Sequence, residues 1–382
     1  MRLALLMGNR FSAWHLKPFL GLPGAELVAF RAESEIQRYF LERDDGTLRA
    51  LQVEPIWFEG QRGNPLRRFL ARRMEARIMP FAGRLEGFSA ILTWEIFTGW
   101  TAEALEAKRR YGTPVAVMVW DNIPFNHEES RRERAIKEWA IDEADLFIVP
   151  TERSRQTLEL EGIPPSRIQL IPPSVDLKAF SPGPGSRAAL DVPKDAFVIA
   201  FVGWMLPRKG LHILLYALRR LLDDPEVANH TVRLVIAGDG PGQDVIERLL
   251  DRLALRECVV FAGSLTYDKM PNLYRGADCF VLPSLATRTW QEQFAMSLIE
   301  AMACGRPCIA AASGAIPEIL GDAGELVQAD DFVTLHEALK ALLLDPGKRE
   351  QLGQAARRRA EAHFALENHT DALAGVLLRL AR

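Results

Sequence analysis

The sequence predicts an α/β protein built from two units, each with a parallel sheet. Three observations carry that prediction. Short apolar runs alternate with helix-length stretches along the chain. The densest Pro/Gly cluster, residues 172–185, falls near the middle, and a fresh series of strands begins after it. The length, 382 residues, leaves room for two domains at about 150 residues each.

Taken in order, the first unit's strands are predicted at 3–7, 27–30, 90–93, 115–120 and 146–149, with a charged helix over 128–143. The opening M-R-L-A-L-L-M-G is too short for a secretory signal and reads as a buried first strand. The 172–185 segment, with P-P-S-V-D and S-P-G-P-G, is expected to be a linker. The second unit's strands follow at 197–202, 233–237, 258–261, 279–282 and 307–311. The amphipathic stretch 366–380 has no strand after it and is expected as a terminal helix that reaches back to the first domain. The expected domains are therefore 1–178, 179–364 and the terminal 365–382. Two such units are expected to frame a cleft at the carboxyl ends of their strands, where ligands bind in α/β proteins.

Composition narrows the function. Lys and Arg total 47 against 50 Asp and Glu, a net charge of −3, so the basic footprint of a nucleic-acid binder is missing. The longest apolar runs fall well short of the roughly 20 residues of a membrane-spanning helix. Four cysteines in a chain of this length make no disulfide framework, and they lack zinc-ligand spacing. A cytoplasmic protein is expected.

Three stretches carry chemistry. In W-Q-E-Q-F-A-M-S-L-I-E-A-M-A-C-G-R-P, residues 290–307, Gly305 and Pro307 end a helix that is predicted from about Phe294 to Ala303. The helix is apolar nearly all round and hence buried. Glu300 on it needs a polar partner: a ligand's hydroxyls, a core arginine or backbone donors. Glu292 is placed in the loop before the helix, with Glu300 two turns in and both edging a pocket at the helix start, where free N–H groups favour an anion. In F-V-G-W-M-L-P-R-K-G-L, residues 201–211, a strand ends at Gly203 and Arg208 and Lys209 adjoin a helix start. That is either a phosphate site or a solvated basic turn. V-I-A-G-D-G-P-G, residues 235–242, is a strand entering a glycine-rich turn without the G-x-G-x-x-G dinucleotide fingerprint.

In this order and spacing the stretches resemble the retaining glycosyltransferases of family 4, which have the two-domain GT-B fold of Rossmann-like units. The resemblance is close from Phe201 to about Glu325 and includes F-A-G at 261–263, L-P-S at 282–284 and A-S-G-A-I-P-E at 312–318. It continues more weakly through A-D-L-F-I-V-P-T at 144–151 and S-V-D at 174–176. Glu292 and Glu300 match the family's Glu–seven residues–Glu signature. The resemblance implies a nucleoside-diphosphate-sugar donor. It implies Glu300 on the donor ribose, Glu292 beside the transferred sugar and Lys209 on the diphosphate. Gly203 and the backbone of Gln293, Phe294 and Ala295 are implied at the donor as well. The family's arginine after the strand glycine is replaced by Trp204, so Arg208 is the candidate for that charge. In V-M-V-W-D-N-I-P, residues 117–124, Trp120-Asp121 stands where the family has His-Asp. Asp121 is then a candidate catalytic residue, with His127 more remote, or else a turn residue. With no Asp-x-Asp triplet in the chain, no metal and no cofactor is expected.

Residues 62–84 hold seven arginines against one acid. Arg67, Arg68, Arg72 and Arg73 flank an apolar helical stripe and read either as a solvated face or as a surface for an anionic membrane or an acidic acceptor. The expected partners are thus a nucleotide-sugar donor and an acceptor that is a carbohydrate, a lipid-linked sugar or a small molecule. A peripheral place on the inner membrane face is open, and nucleic acid is not expected. The alternatives are another GT-B enzyme, such as a nucleotide-sugar epimerase or a phosphorylase, or a catalytically weak glycan-binding or scaffold subunit.

Overall fold

The computed structural model describes residues 1–8, 13–20, 22–32, 52–56 and 78–381. The arginine-rich candidates Arg67, Arg68, Arg72 and Arg73 lie outside the described residues. The chain divides into two compact units, Met1–Pro172 with Glu367–Arg382, and Pro173–Leu366.

In the first unit the strands are β1 (Arg2–Leu6), β2 (Glu26–Ala32), β3 (Gln52–Ile56), β4 (Ala90–Trp94), β5 (Val115–Met118), β6 (Leu146–Val149) and β7 (Ile168–Leu170). Among the described residues the helices ahead of the domain boundary are α1 (Ala13–Leu20), α2 (Gly99–Tyr111), α3 (Arg131–Glu143) and α4 (Glu152–Leu160). The strands form one sheet in the order β3-β2-β1-β4-β5-β6-β7, with every pairing parallel. β4 and β5 are buried at every position, which is why they read as unbroken apolar runs. Thr98, Ser130 and Thr151 cap α2, α3 and α4, each accepting from a backbone N–H one turn on. The reading of 115–120 as strand runs two residues long, since β5 ends at Met118.

In the second unit the strands are β8 (Phe197–Val202), β9 (Val232–Ala237), β10 (Val259–Gly263), β11 (Cys279–Leu282), β12 (Cys308–Ala311) and β13 (Glu325–Val327). The helices are α5 (Leu211–Leu222), α6 (Gln243–Arg252), α7 (Met270–Gly276), α8 (Met296–Ala303), α9 (Ile316–Leu320), α10 (Phe332–Leu344) and α11 (Pro346–His363). The sheet order is β10-β9-β8-β11-β12-β13, again all parallel. Two apolar layers cover the two faces of this sheet. One holds Val198, Ala200, Phe280 and the apolar residues of α8, and the other holds Ile199, Phe201 and the apolar stripe of α5. Their alternation along β8 follows the strand period of two.

Two expectations are corrected. The 172–185 segment is not a free linker, and the boundary falls at Pro172/Pro173 rather than 178/179. Phe180 is fully buried in the second unit's core. The Phe180 carbonyl accepts from Arg357 at 2.9 Å and the Ser181 carbonyl from Arg275 at 2.7 Å. Local Pro/Gly content marks irregular backbone, and one buried aromatic suffices to fix it in place. The last helix, α12 (Leu366–Leu380), places Leu373, Val376 and Leu377 among Leu3, Leu5, Met7 and Phe19 of the first unit.

Candidate active site

In each sheet the strand order reverses at one place, between β1 and β4 in the first unit and between β8 and β11 in the second. The crevice outside the strand carboxyl ends at such a switch point is where α/β proteins bind ligands. The sequence-singled residues of the second unit gather there. β8 ends into Gly203, and β11 ends into Pro283 and Ser284.

After Gly203 the chain makes a short 3-10 turn, Pro207–Lys209, and then Gly210 at φ +70° opens α5. Lys209 therefore precedes the α-helix instead of sitting in its first turn. A Cβ on Gly210 would meet the Pro283 carbonyl oxygen at 1.8 Å, so only glycine lets this loop lie against the end of β11. The Lys209 ammonium donates to both carboxylate oxygens of Glu292, at 3.1 and 2.8 Å. The buried Ser284 hydroxyl donates to Glu292 Oε2 at 2.7 Å. The Arg208 guanidinium lies 4.5 Å from the centre of the Trp290 ring, and the Lys209 ammonium 5.0 Å from it. A cation over an indole face is held by the ring quadrupole. The structure thus brings Arg208, Lys209, Glu292 and Trp290 together.

Glu292 is buried in a loop, as expected, and Gly314 fixes that loop from the other side. A Cβ on Gly314 (φ +56°) would meet the Glu292 carbonyl oxygen at 2.0 Å. Gln293, Phe294 and Ala295 lead into α8. Ala295 is the helix N-cap at φ +50°, and no side chain caps the helix. A non-glycine residue held in the left-handed region stores strain of the kind concentrated at ligand sites. The first N–H groups of α8 are left as an anion-facing end.

Glu300 is buried, and two features of its expected setting are corrected. α8 starts at Met296 rather than Phe294, because the strained Ala295 delays it, so Glu300 sits one turn into the helix, not two. Its partner among the described residues is neither arginine nor backbone: the Tyr274 hydroxyl donates to Oε2 at 2.7 Å. Burial pushes the Glu300 carboxyl up to about 7, with the tyrosine bond pulling the other way. One neutral donor offsets only part of the desolvation of a carboxylate.

In the first unit, Asp121 accepts from the Ile123 N–H at 3.2 Å and from the Asn126 side chain at 2.9 Å. His127, at φ +61°, has Nε2 3.9 Å from Asp121 and stacks on Phe97 at 3.7 Å between ring centres. Asp121 is thus a turn residue and a neighbour of His127 at once. Glu95 escaped the sequence reading. It follows β4 at the switch point, at φ +60°, and accepts from the Trp120 N–H at 3.0 Å. Its other oxygen is buried, with no hydrogen-bond partner among the described residues. Burial first, and then the Asp121 charge, pushes its carboxyl up to about 8. The missed signal was a single acid directly after the run A-I-L-T-W. Ser284 lay inside the quoted L-P-S, while Tyr274 had no local signature. Among the described residues no group of three or more His, Cys, Asp and Glu side chains is placed to hold a metal.

The family described as "Glycosyltransferase Family 4" matches residues 28–179, and that described as "Glycosyl transferases group 1" matches residues 185–359.

The chain belongs to the family 4 glycosyltransferases.

D-inositol 3-phosphate glycosyltransferase of Mycobacterium tuberculosis is 36% identical to this glycosyltransferase chain over 244 residues, which is 61% of the chain and 48% of that relative. The chain thus spans about half the length of the curated relatives it matches. Anabaena HepE, solved in complex with UDP, superposes with a TM-score of 0.77 at 19% identity, covering 99% of this chain and 100% of that one. Sucrose-phosphate synthase from Thermosynechococcus elongatus gives 0.76 at 20% identity over 100% and 99%. At these identities the likeness concerns the fold, two Rossmann-like units of GT-B type.

Proposed function

We propose that this chain is a retaining glycosyltransferase that moves a sugar from a nucleoside-diphosphate sugar to an acceptor hydroxyl. The observation that carries this reading is the Lys209–Glu292–Ser284 cluster at the second sheet's switch point, beside the uncapped start of α8. The UDP bound to HepE supports a nucleotide donor. Glu300 accepts from the donor ribose, while Tyr274 holds the carboxylate from the protein side. Lys209 and Arg208 meet the diphosphate with the backbone of Gln293 to Ala295, and Glu292 keeps the lysine in place beside the sugar.

In the transfer, the bond from the anomeric carbon to the diphosphate oxygen breaks as the bond to the acceptor oxygen forms on the same face. The acceptor proton passes to the departing diphosphate. Charge gathers on that leaving group, where preorganised cations and helix N–H groups are worth most. Asp121, with His127 beside it, is the first unit's candidate catalytic group. The acceptor is a carbohydrate, a lipid-linked sugar or a small molecule. No helix among the described residues is long and apolar enough to cross a membrane. A peripheral place on an anionic inner leaflet rests on Arg67, Arg68, Arg72 and Arg73, and liposome pelleting of the four-fold Gln variant reads it.

The test is a thermal-shift panel of UDP, GDP, ADP and their sugars, followed by product analysis of the anomer. A ligand at 100 times its dissociation constant adds about 2.7 kcal/mol. Lys209→Ala is expected to keep the fold and to cut turnover by roughly a hundredfold or more. A panel in which no nucleotide raises the melting temperature, or an unchanged turnover in Lys209→Ala, refutes the reading.

A further inference from the structure

The other end of the second sheet carries a cavity that the transferase reading leaves unused. It has a volume of about 580 Å³ and is lined by Arg306, Arg349, Arg357, Arg358, Asp278 and Glu350, among others. Asp278 and Pro307 directly precede β11 and β12, so this cavity opens at the amino ends of strands whose carboxyl ends carry Ser284 and Gly314. It is remote from the Lys209 cluster along the whole length of the sheet.

The charges in it do not balance. Asp278 is taken up by Arg187, which donates to both its oxygens at 2.8 and 2.7 Å. Arg357 is paired with Glu361 at 2.7 Å. That leaves Arg306, Arg349 and Arg358 facing Glu350, which accepts only from the Gln354 amide among the described residues, at 3.2 Å. Arg306 is half-buried and, among the described residues, donates to carbonyls alone, of Cys304 at 3.2 Å and Ala277 at 3.1 Å. Among the described residues Arg349 donates to the carbonyls of Leu342 and Leu343, and its guanidinium lies 5.6 Å from the centre of the Phe197 ring. Arg358 makes no hydrogen bond or ion pair among the described residues. Carbonyls satisfy N–H groups but carry no full counter-charge, so Arg306 is offset only in part, by the nearby Asp278 charge, and each guanidinium has five donors, more than these bonds use. Burial pushes Arg306 down from its usual range, and the Asp278 charge pulls only partly the other way.

The geometry is built rather than incidental. Arg349, Gly353 and Arg357 follow one another at four-residue steps on a single face of α11. Gly353 in the middle admits the opposing loop. A Cβ there would lie 2.5 Å from the Gly305 carbonyl oxygen. The cavity volume falls in the range of small-ligand sites, about 300–1,000 Å³, and guanidinium clusters match the planar oxygens of phosphate groups.

We propose that this cavity is a second, anion-binding site that takes a phosphate-bearing ligand the size of a pyrophosphate or mononucleotide, either free or carried on a lipid headgroup. The full chain is titrated with inorganic pyrophosphate by calorimetry while UDP is held at saturation. Pyrophosphate is expected to bind under these conditions and to bind equally in Lys209→Ala, which separates this site from the proposed donor site. Arg358→Gln, whose side chain supports nothing in the fold, keeps the melting temperature and weakens pyrophosphate. Arg306→Gln with Arg358→Gln is expected to weaken it by about tenfold or more, the loss of a charge-assisted contact. If pyrophosphate fails to bind but phosphatidylglycerol vesicles pellet the protein in an Arg358-dependent way, the ligand is the headgroup form. No binding of either kind, binding abolished by UDP, or equal binding in the arginine variants overturns the proposal.

Discussion

At the scale of single residues, the most informative group is Glu300. Its carboxyl is buried with one neutral donor, and its folded value of about 7 lies above the ordinary 4.5. Between those values the folded protein keeps a proton that the unfolded chain has released. The group's stabilising share is therefore complete below about pH 4.5 and is lost as pH rises towards 7. The loss is on the order of 3 kcal/mol at 1.36 kcal/mol per pH unit. Glu300→Gln is expected to flatten that part of the slope and to be the more stable protein at pH 8. Tyr274→Phe is expected to cost about 1–3 kcal/mol at that pH, because it removes a hydrogen bond to a charged acceptor. Urea denaturation at pH 5 and pH 8 reads both. Glu95, raised to about 8, keeps its own slope in each variant. If ribose is what Glu300 awaits, nucleotide affinity rises with pH through 7 in the wild type and is weaker and pH-independent in Glu300→Gln. A Glu300→Gln protein that binds every nucleotide as the wild type does removes this residue from the site.

At the scale of elements, the loops matter more than the helices they join. The loop before α5 rests on the end of β11 only because Gly210 lacks a Cβ, and the loop of Glu292 rests against Gly314 for the same reason. The segment 173–185 is a further case. Its Pro/Gly content suggests a linker, yet Phe180 is buried among Tyr267 and Tyr274, with ring centres at 5.0 and 6.2 Å. Phe180→Ala is expected to cost about 3–5 kcal/mol of the second unit's stability. Through Tyr274, it is also expected to loosen the hydrogen bond to Glu300. Differential scanning calorimetry with and without nucleotide checks it. A loss below about 1 kcal/mol would show the segment to be a linker after all.

At the scale of the whole molecule, the chain's two ends meet in one core. α12, the last helix, packs Leu373, Val376 and Leu377 with Leu3, Leu5, Met7 and Phe19. The stability of the first unit therefore depends on residues more than 360 positions away from its first strand. Leu377→Ala is expected to destabilise that unit by about 2–5 kcal/mol while the second unit's transition stays in place. Two resolved calorimetric transitions, with only one of them shifted, would bear this out. A shift of the second unit's transition instead would contradict the assignment of the helix to the first unit's core.

By itself the sequence determined the parts whose signal is local. Runs such as Leu146–Val149, Phe197–Val202 and Cys279–Leu282 are strands with the ends read from the sequence, because residues buried on both faces leave nothing polar in the run. The glycine, proline and paired-glutamate spacing marked the loops of the second unit, since backbone geometry restricts which residues fit there. Elements with weak local signal were missed. Gln52–Ile56, Ile168–Leu170 and Glu325–Val327 are edge strands of three to five residues, and only pairing to a neighbour makes them strands. The partners of the site's charges were also decided by tertiary structure alone. Tyr274 is 26 residues from Glu300 and Lys209 is 83 from Glu292. Sequence shows that a buried carboxylate must be satisfied, because desolvation is costly anywhere. Which donor satisfies it depends on which loops the sheet order brings side by side.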